Sequence, residues 1–206
     1  MSSDLVILVA DKDTEFALKG LFSRPQSLGI RSIEVEILIH IQRDPGCWNE
    51  ADSFLRPFSK QFAYALVIFD HQGCGQEDKM ADRLEEELEQ RLNLTGWEDR
   101  SHVVILQPEL EIWVWSDSPK VDECLGWTNK SPSLRHALRE QDLLDAEAYK
   151  PHDPKLALEW ALRQVKKPRS SDLYKRLAEQ VSFQRCTDQS FLRFKNILQT
   201  WFPPNN

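Results

Sequence analysis

Several ionisable side chains fall just past runs of β-forming apolar residues. Asp11 and Asp13 follow Leu5–Ala10, His40 lies at the end of Ser32–Ile41, Asp70 closes Ala63–Asp70, and Glu109 and Glu111 follow His102–Gln107. In open α/β sheets, ligands bind outside the carboxyl ends of the strands. Carboxylates gathered on such a rim suit a hard divalent ion such as Mg²⁺, which takes one or two of them and keeps several waters. Asp70, Asp11 and Glu111 are the expected metal ligands and catalytic groups, with His40 as a further catalytic candidate. The stretch "LVIFDHQGCGQED" adds Gly73 and Gly75 directly after Asp70, where a backbone without Cβ atoms can approach a phosphate. Each residue also has a plainer role. Asp and Gly turn and cap chains after strands, Asp13 or Thr14 is the expected cap of the first helix, and a histidine near a core often only bonds to backbone.

A second anion site is expected in "VKKPRSS", where Lys167 and Arg169 flank Pro168 and Ser170 or Ser171 can cap the next helix. The alternative is a solvated loop between helices. Arg185-Cys186 and Arg43-Asp44 can extend a basic surface there. Cys47, Cys74, Cys124 and Cys186 show no CxxC spacing, which argues for free thiols. A thiol nucleophile needs an activating neighbour, and Cys74 near His71 and Cys47 after His40 offer only a weak version of that arrangement. There is no G-x-S-x-G, no Walker A loop and no G-x-G-x-x-G fingerprint.

The elements that must carry these residues alternate in type. Leu5–Ala10 is an apolar run fit for a strand covered on both faces. "DKDTEFALKGLF" then reads as a helix, Ser32–Ile41 as a strand, Gln42–Trp48 as a loop around Pro45-Gly46, and Asn49–Phe62 as a helix broken near Pro57. Ala63–Asp70 is a third strand. "EDKMADRLEEELEQRLNL" follows as a helix with Met80, Leu84, Leu88 and Leu92 in one stripe. His102–Gln107 is a fourth strand, and Pro108 is placed to open a helix. This is the pattern of a three-layer α/β core with a mostly parallel sheet of about four strands over residues 1–118. Residues 119–206 read as a helical C-terminal part packed on the core, irregular over Asp117–Asp153, then helical over Pro154–Lys167, Ser170–Val181 and Asp188–Trp201.

The chain has 206 residues, 41% of them apolar with 7 Trp and 10 Phe, enough to fill a core. Charged residues reach 29%, and no apolar run is long enough to span a bilayer. The N-terminus has no signal-peptide pattern, so a cytoplasmic protein with no membrane association is expected. A net charge of −7 argues against a protein that coats DNA, but leaves room for nucleic acid or nucleotide held through a metal or a local basic patch.

The order strand, acidic turn, helix, then strand, Asp, Gly-rich turn resembles the TOPRIM fold of primases, topoisomerases and overcoming-lysogenization-type nucleases. The segments "LVADKDTEFAL", "LVIFDHQGCG", "PELEIWVWSD", "KKPRSSDLYKRLAEQV" and "RCTDQSFLRFKNIL" are similar to uncharacterised bacterial TOPRIM-like proteins. Some of these accompany phage-defence gene clusters of the methylation-associated type. The resemblance implies a Mg²⁺-dependent protein acting on phosphodiesters or nucleotide phosphates, alongside other defence-system proteins. It also implies an incomplete acid set. The Glu that TOPRIM enzymes carry after the first strand is replaced by Ala10 with Asp11 next to it, and their D-x-D reads Asp70-His71-Gln72. Asp70 is the acid that matches directly. The loss of the others equally implies a non-catalytic scaffold or partner-binding subunit.

Overall fold

A computed structural model describes residues 3–116, 118–182 and 186–204. Four strands, β1 (Ser3–Val9), β2 (Val35–Ile39), β3 (Phe62–Asp70) and β4 (Ser101–Leu106), form one all-parallel sheet in the order β2-β1-β3-β4. The helices of the core are α1 (Lys12–Phe22), the short α2 (Pro25–Leu28), α3 (Arg43–Leu55), α4 (Ala81–Leu92) and the single turn α5 (Glu111–Val114). They are followed by α6 (Pro119–Leu125), α7 (Leu134–Glu140), α8 (Pro154–Gln164), α9 (Ser171–Gln180) and α10 (Gln189–Trp201).

Strand order explains why the C-terminal helices are needed. Crossovers between parallel strands are right-handed. The chain steps one way from β1 to β2 and the other way from β2 to β3 and β4, so α1 goes to one face while α3 and α4 go to the other. Val6, Leu8, Val67, Phe69, Val103 and Ile105 pack under α3 and α4. On the opposite face, α1 and α2 cannot cover Leu66, Ile68, Val104 and Leu106 as well as β1. Tyr174 and Leu177 of α9, with Phe191, Phe194 and Leu198 of α10, complete that core. The C-terminal helices are thus one layer of the same structure. No helix among the described residues is long and apolar enough to cross a membrane.

Several local expectations are corrected. Gln42–Trp48 is not a loop: α3 begins at Arg43, and Pro45 sits in its first turn, where a missing N–H costs nothing. Arg43, the first residue of α3, takes the left-handed conformation at φ 54°. The helix after Asp70 starts at Ala81, not at Glu77, and Met80 precedes the buried stripe and is exposed. Pro108 opens no helix. It follows a cis peptide bond, and its carbonyl accepts the Gln72 N–H at 3.0 Å, which ties the β3 and β4 exits together. Asp117–Asp153 contains the capped short helices α6 and α7. Arg185 and Asp117 lie outside the described residues.

The outer border of β4 is closed by side chains. The Ile105 N–H donates to Glu85 Oε1 and the Val103 N–H to Glu89 Oε1, each at 2.9 Å. Arg193 Nε donates to the Val103 carbonyl at 3.0 Å, and the same guanidinium binds Glu89 at 2.7 Å. The spacing is matched: one helical turn from Glu85 to Glu89 rises about 6 Å, and two strand residues advance about 6.6 Å.

Candidate functional site

The sheet order reverses direction between β1 and β3, and a cleft of about 810 Å³ opens over their carboxyl ends. This is the switch point at which doubly wound sheets bind ligands. Five carboxylates line it, and three of them, Asp11, Asp44 and Asp70, come from three different strand ends.

Asp11 is the N-cap of α1, in place of the expected Asp13 or Thr14. Its extended backbone (φ −154°) lets Oδ1 accept both the N–H and the hydroxyl of Thr14 at 2.9 Å. Asp70 ends β3, and its Oδ1 accepts the Leu110 N–H at 2.9 Å. Asp44 stands in the first turn of α3, and its Oδ1 accepts the Asp70 N–H at 2.9 Å. None of the three forms an ion pair among the described residues. Burial, then the charges of Asp44, Glu111, Asp11 and Glu109, push the Asp70 carboxyl well above its ordinary range. Burial also raises Asp44, with Asp11 adding to it. The rim therefore holds more negative charge than it can easily keep.

The remaining acids in and behind the cleft are paired with cations from the helical C-terminal part. Glu109 binds Lys155 Nζ at 2.8 Å. Asp13 binds Arg169 at 2.8 Å and accepts the Ser171 hydroxyl at 2.6 Å. Glu111, 1% exposed, is reached by Arg169 at 3.0 Å and by the Tyr174 hydroxyl at 2.5 Å. Lys12 and Arg43 also line the cleft, and both are exposed.

The expected residues separate on this geometry. Asp11, Asp70, His40, Gly73 and Arg169 share the cleft. Glu111 stands behind its wall, engaged by Arg169 and Tyr174. Lys167 points elsewhere and donates to the Cys124 carbonyl. His40 is 2% exposed, and its Nδ1 accepts the Gln42 N–H at 3.2 Å, so it braces the β2–α3 turn. A Cβ on Gly46 would lie 1.9 Å from that same Nδ1, so only glycine fits under the ring. Gly73 and Gly75 take φ values of 92° and 83°, and both N–H groups turn to Glu77 Oε1, at 2.7 and 3.2 Å. The small nest of donors that could receive a phosphate holds the chain's own carboxylate.

Sequence reasoning missed Asp44 and Lys155 as site residues. Asp44 was masked by the Pro45-Gly46 turn signal. Lys155 has no local signal, because its partner Glu109 lies 46 residues away in sequence. Cys47 and Cys74 are buried, and burial first, then neighbouring carboxylates, raises both thiols, opposite to what a nucleophile needs.

Among the described residues, no three His, Cys, Asp or Glu side chains are grouped as a ready-made metal cage. Mg²⁺ does not require one, since water and substrate phosphate usually fill most of its positions. Asp11 and Asp70 each keep an Oδ2 with no hydrogen-bond partner among the described residues, so the donor chemistry fits such a loosely held ion. Comparison with protein-family models, curated proteins and solved structures finds no match.

Proposed function

We propose that this chain is a TOPRIM-like component of a bacterial phage-defence system whose cleft holds Mg²⁺ and a phosphate group of a nucleic acid or nucleotide. The carrying observation is the placement of Asp11, Asp44 and Asp70, all without ion-pair partners among the described residues, at the switch point of a parallel sheet. The order of the sequence motifs supports the TOPRIM-like and defence-linked part of the reading. When bound, Mg²⁺ would neutralise charge on phosphoryl oxygens and orient a water. Asp70 and Asp11 would hold it, with Asp44 beside them. Asp70, whose carboxyl is raised by burial and neighbouring acids, would give up its proton when the ion binds. Lys155 and Arg169 would attract the phosphate and fix its orientation.

A second reading, a non-catalytic subunit that binds a nucleotide or another defence-system protein, is favoured by one observation. Gln72, at the cleft, stands where a TOPRIM enzyme has its second Asp, and a neutral amide is a weaker ligand for a hard cation.

The test is calorimetric titration of Mg²⁺ and Mn²⁺ into the wild type and Asp70→Asn at low ionic strength. Binding that disappears in the variant is expected, followed by metal-dependent hydrolysis of an oligonucleotide or a nucleoside triphosphate. Binding without hydrolysis selects the second reading. Absence of binding in both proteins overturns the metal site.

A further inference from the structure

We infer that Arg169 is the anion-binding group of the cleft and that Tyr174, Glu111 and Asp13 are its positioning residues. The inference rests on the cleft reading above and assigns Glu111 a role other than metal ligation.

Arg169 comes from the loop between α8 and α9, behind Pro168. A long side chain on a loop would ordinarily sample many rotamers, and ordering it costs entropy. Here one terminal nitrogen is gripped by two acids, at 2.8 Å from Asp13 Oδ2 and 3.0 Å from Glu111 Oε1. The other meets Glu159 Oε1 at 3.4 Å. The guanidinium lies 5.6 Å from the centroid of the Tyr174 ring. The acids are fixed in turn: Tyr174 donates its hydroxyl to Glu111 Oε1 at 2.5 Å, and Ser171 donates to Asp13 Oδ1 at 2.6 Å. Tyr174 and Glu111 are each 1% exposed, so this platform is part of the core.

The cation is less enclosed than its supports. Arg169 keeps 32% of its side chain exposed and lines the cleft, and its Nε–H has no partner among the described residues. The Nε–H is the donor left to meet an oxygen of a phosphate, and the delocalised guanidinium keeps its charge beside the acids that hold it. If stability alone were at stake, an apolar set of similar volume would serve as well as a half-buried ion pair. The carboxylates without ion-pair partners would meet a phosphate through a cation, while Arg169 would meet it directly.

The test is titration of inorganic pyrophosphate, with a chelator present so that no metal contributes. The proteins are wild type, Arg169→Ala, Arg169→Lys, Glu111→Gln and Tyr174→Phe. Wild-type binding is expected, with loss in Arg169→Ala. A weakening of about tenfold or more is expected in Arg169→Lys, Glu111→Gln and Tyr174→Phe, since each loses a charge-assisted bond or its alignment. Glu111→Gln keeps the shape of the side chain, so it serves if Tyr174→Phe folds poorly. Metal affinity is the readout that a merely structural role would move together with pyrophosphate affinity. It should stay within twofold in Tyr174→Phe. Wild-type affinity in Arg169→Ala, no pyrophosphate binding by the wild type, or equal losses of both ligands in Tyr174→Phe would each overturn the inference. Failure of the Mg²⁺ titration with intact pyrophosphate binding would strike the metal reading alone.

Discussion

The main-chain N–H of Asp70 donates to Asp44 Oδ1 at 2.9 Å, joining the end of β3 to the first turn of α3. The bond crosses above β1, because β2 and β3 flank it on either side. It sets the width of the cleft floor and holds two like charges close together. Asp44→Ala should therefore lose a bond to a charged acceptor, a cost of about 1.5–3 kcal/mol, less what is regained by removing the repulsion. Asp44→Asn keeps an acceptor and loses the charge, so it should unfold at the same or higher urea concentration than the wild type at neutral pH. Urea titrations of the two variants check this; equal destabilisation would mean that the charge, and not the bond, is what the fold uses.

Acid should favour the folded chain through Asp70. Its carboxyl, like that of Asp44, sits above the ordinary value of 3.8. A group raised on folding binds its proton more tightly in the folded chain. Its stabilising share is fully present below 3.8 and is lost as pH rises through the raised value. Stability of the wild type should fall over that window toward neutral pH, and Asp70→Asn should fall less. Parallel curves would remove Asp70 as the source. Mg²⁺ affinity should move the opposite way, rising with pH, because the ion must displace the proton.

Gly46→Ala should be destabilising although alanine is the better helix former. The added Cβ would stand 1.9 Å from His40 Nδ1 and 2.3 Å from Cε1. Overpacking costs about 1–3 kcal/mol, against a helix-propensity gain of at most about 1 kcal/mol. Combining it with His40→Ala should recover part of the loss, since the imidazole clash is relieved while the 2.8 Å approach to Gln42 Cβ remains. Chemical denaturation of both single variants and the double variant measures the coupling; simple additivity would refute the clash.

The parallel core was legible because buried parallel strands are near-continuous apolar runs, and Leu5–Ala10 and Ala63–Phe69 are short, rich in Val, Ile and Leu, and bounded by turn residues. The acids at the strand ends were legible for the same reason, since polarity returns where the sheet stops. Asp44 was hidden because Pro45-Gly46 carries the chemistry of a turn and equally the chemistry of a first helical turn, and only the fit under His40 decides between them. The pairing of Arg169 with Asp13 and Glu111 spans most of the chain and leaves no trace in local pattern.

Glu85→Ala should expose the Ile105 N–H, leave it without its acceptor and cost about 1–3 kcal/mol. Glu85→Gln should cost less than Glu85→Ala, because the amide oxygen can still accept the Ile105 N–H although the 3.1 Å ion pair with Arg193 is lost. Hydrogen exchange at the Ile105 amide checks both. Fast exchange in the wild type would contradict the bond at 2.9 Å.

That bond belongs to a border that cannot act as a template. A strand arriving beside β4 would find the donors of Val103 and Ile105 and the Val103 acceptor already taken. It would have to expel Glu85, Glu89 and Arg193 before gaining a single ladder bond. The sheet is finished on that side by α4 and α10 rather than by another strand. Its capacity for growth, whether into a larger assembly or into an aggregate, is thereby denied along the Val103–Ile105 stretch of that edge.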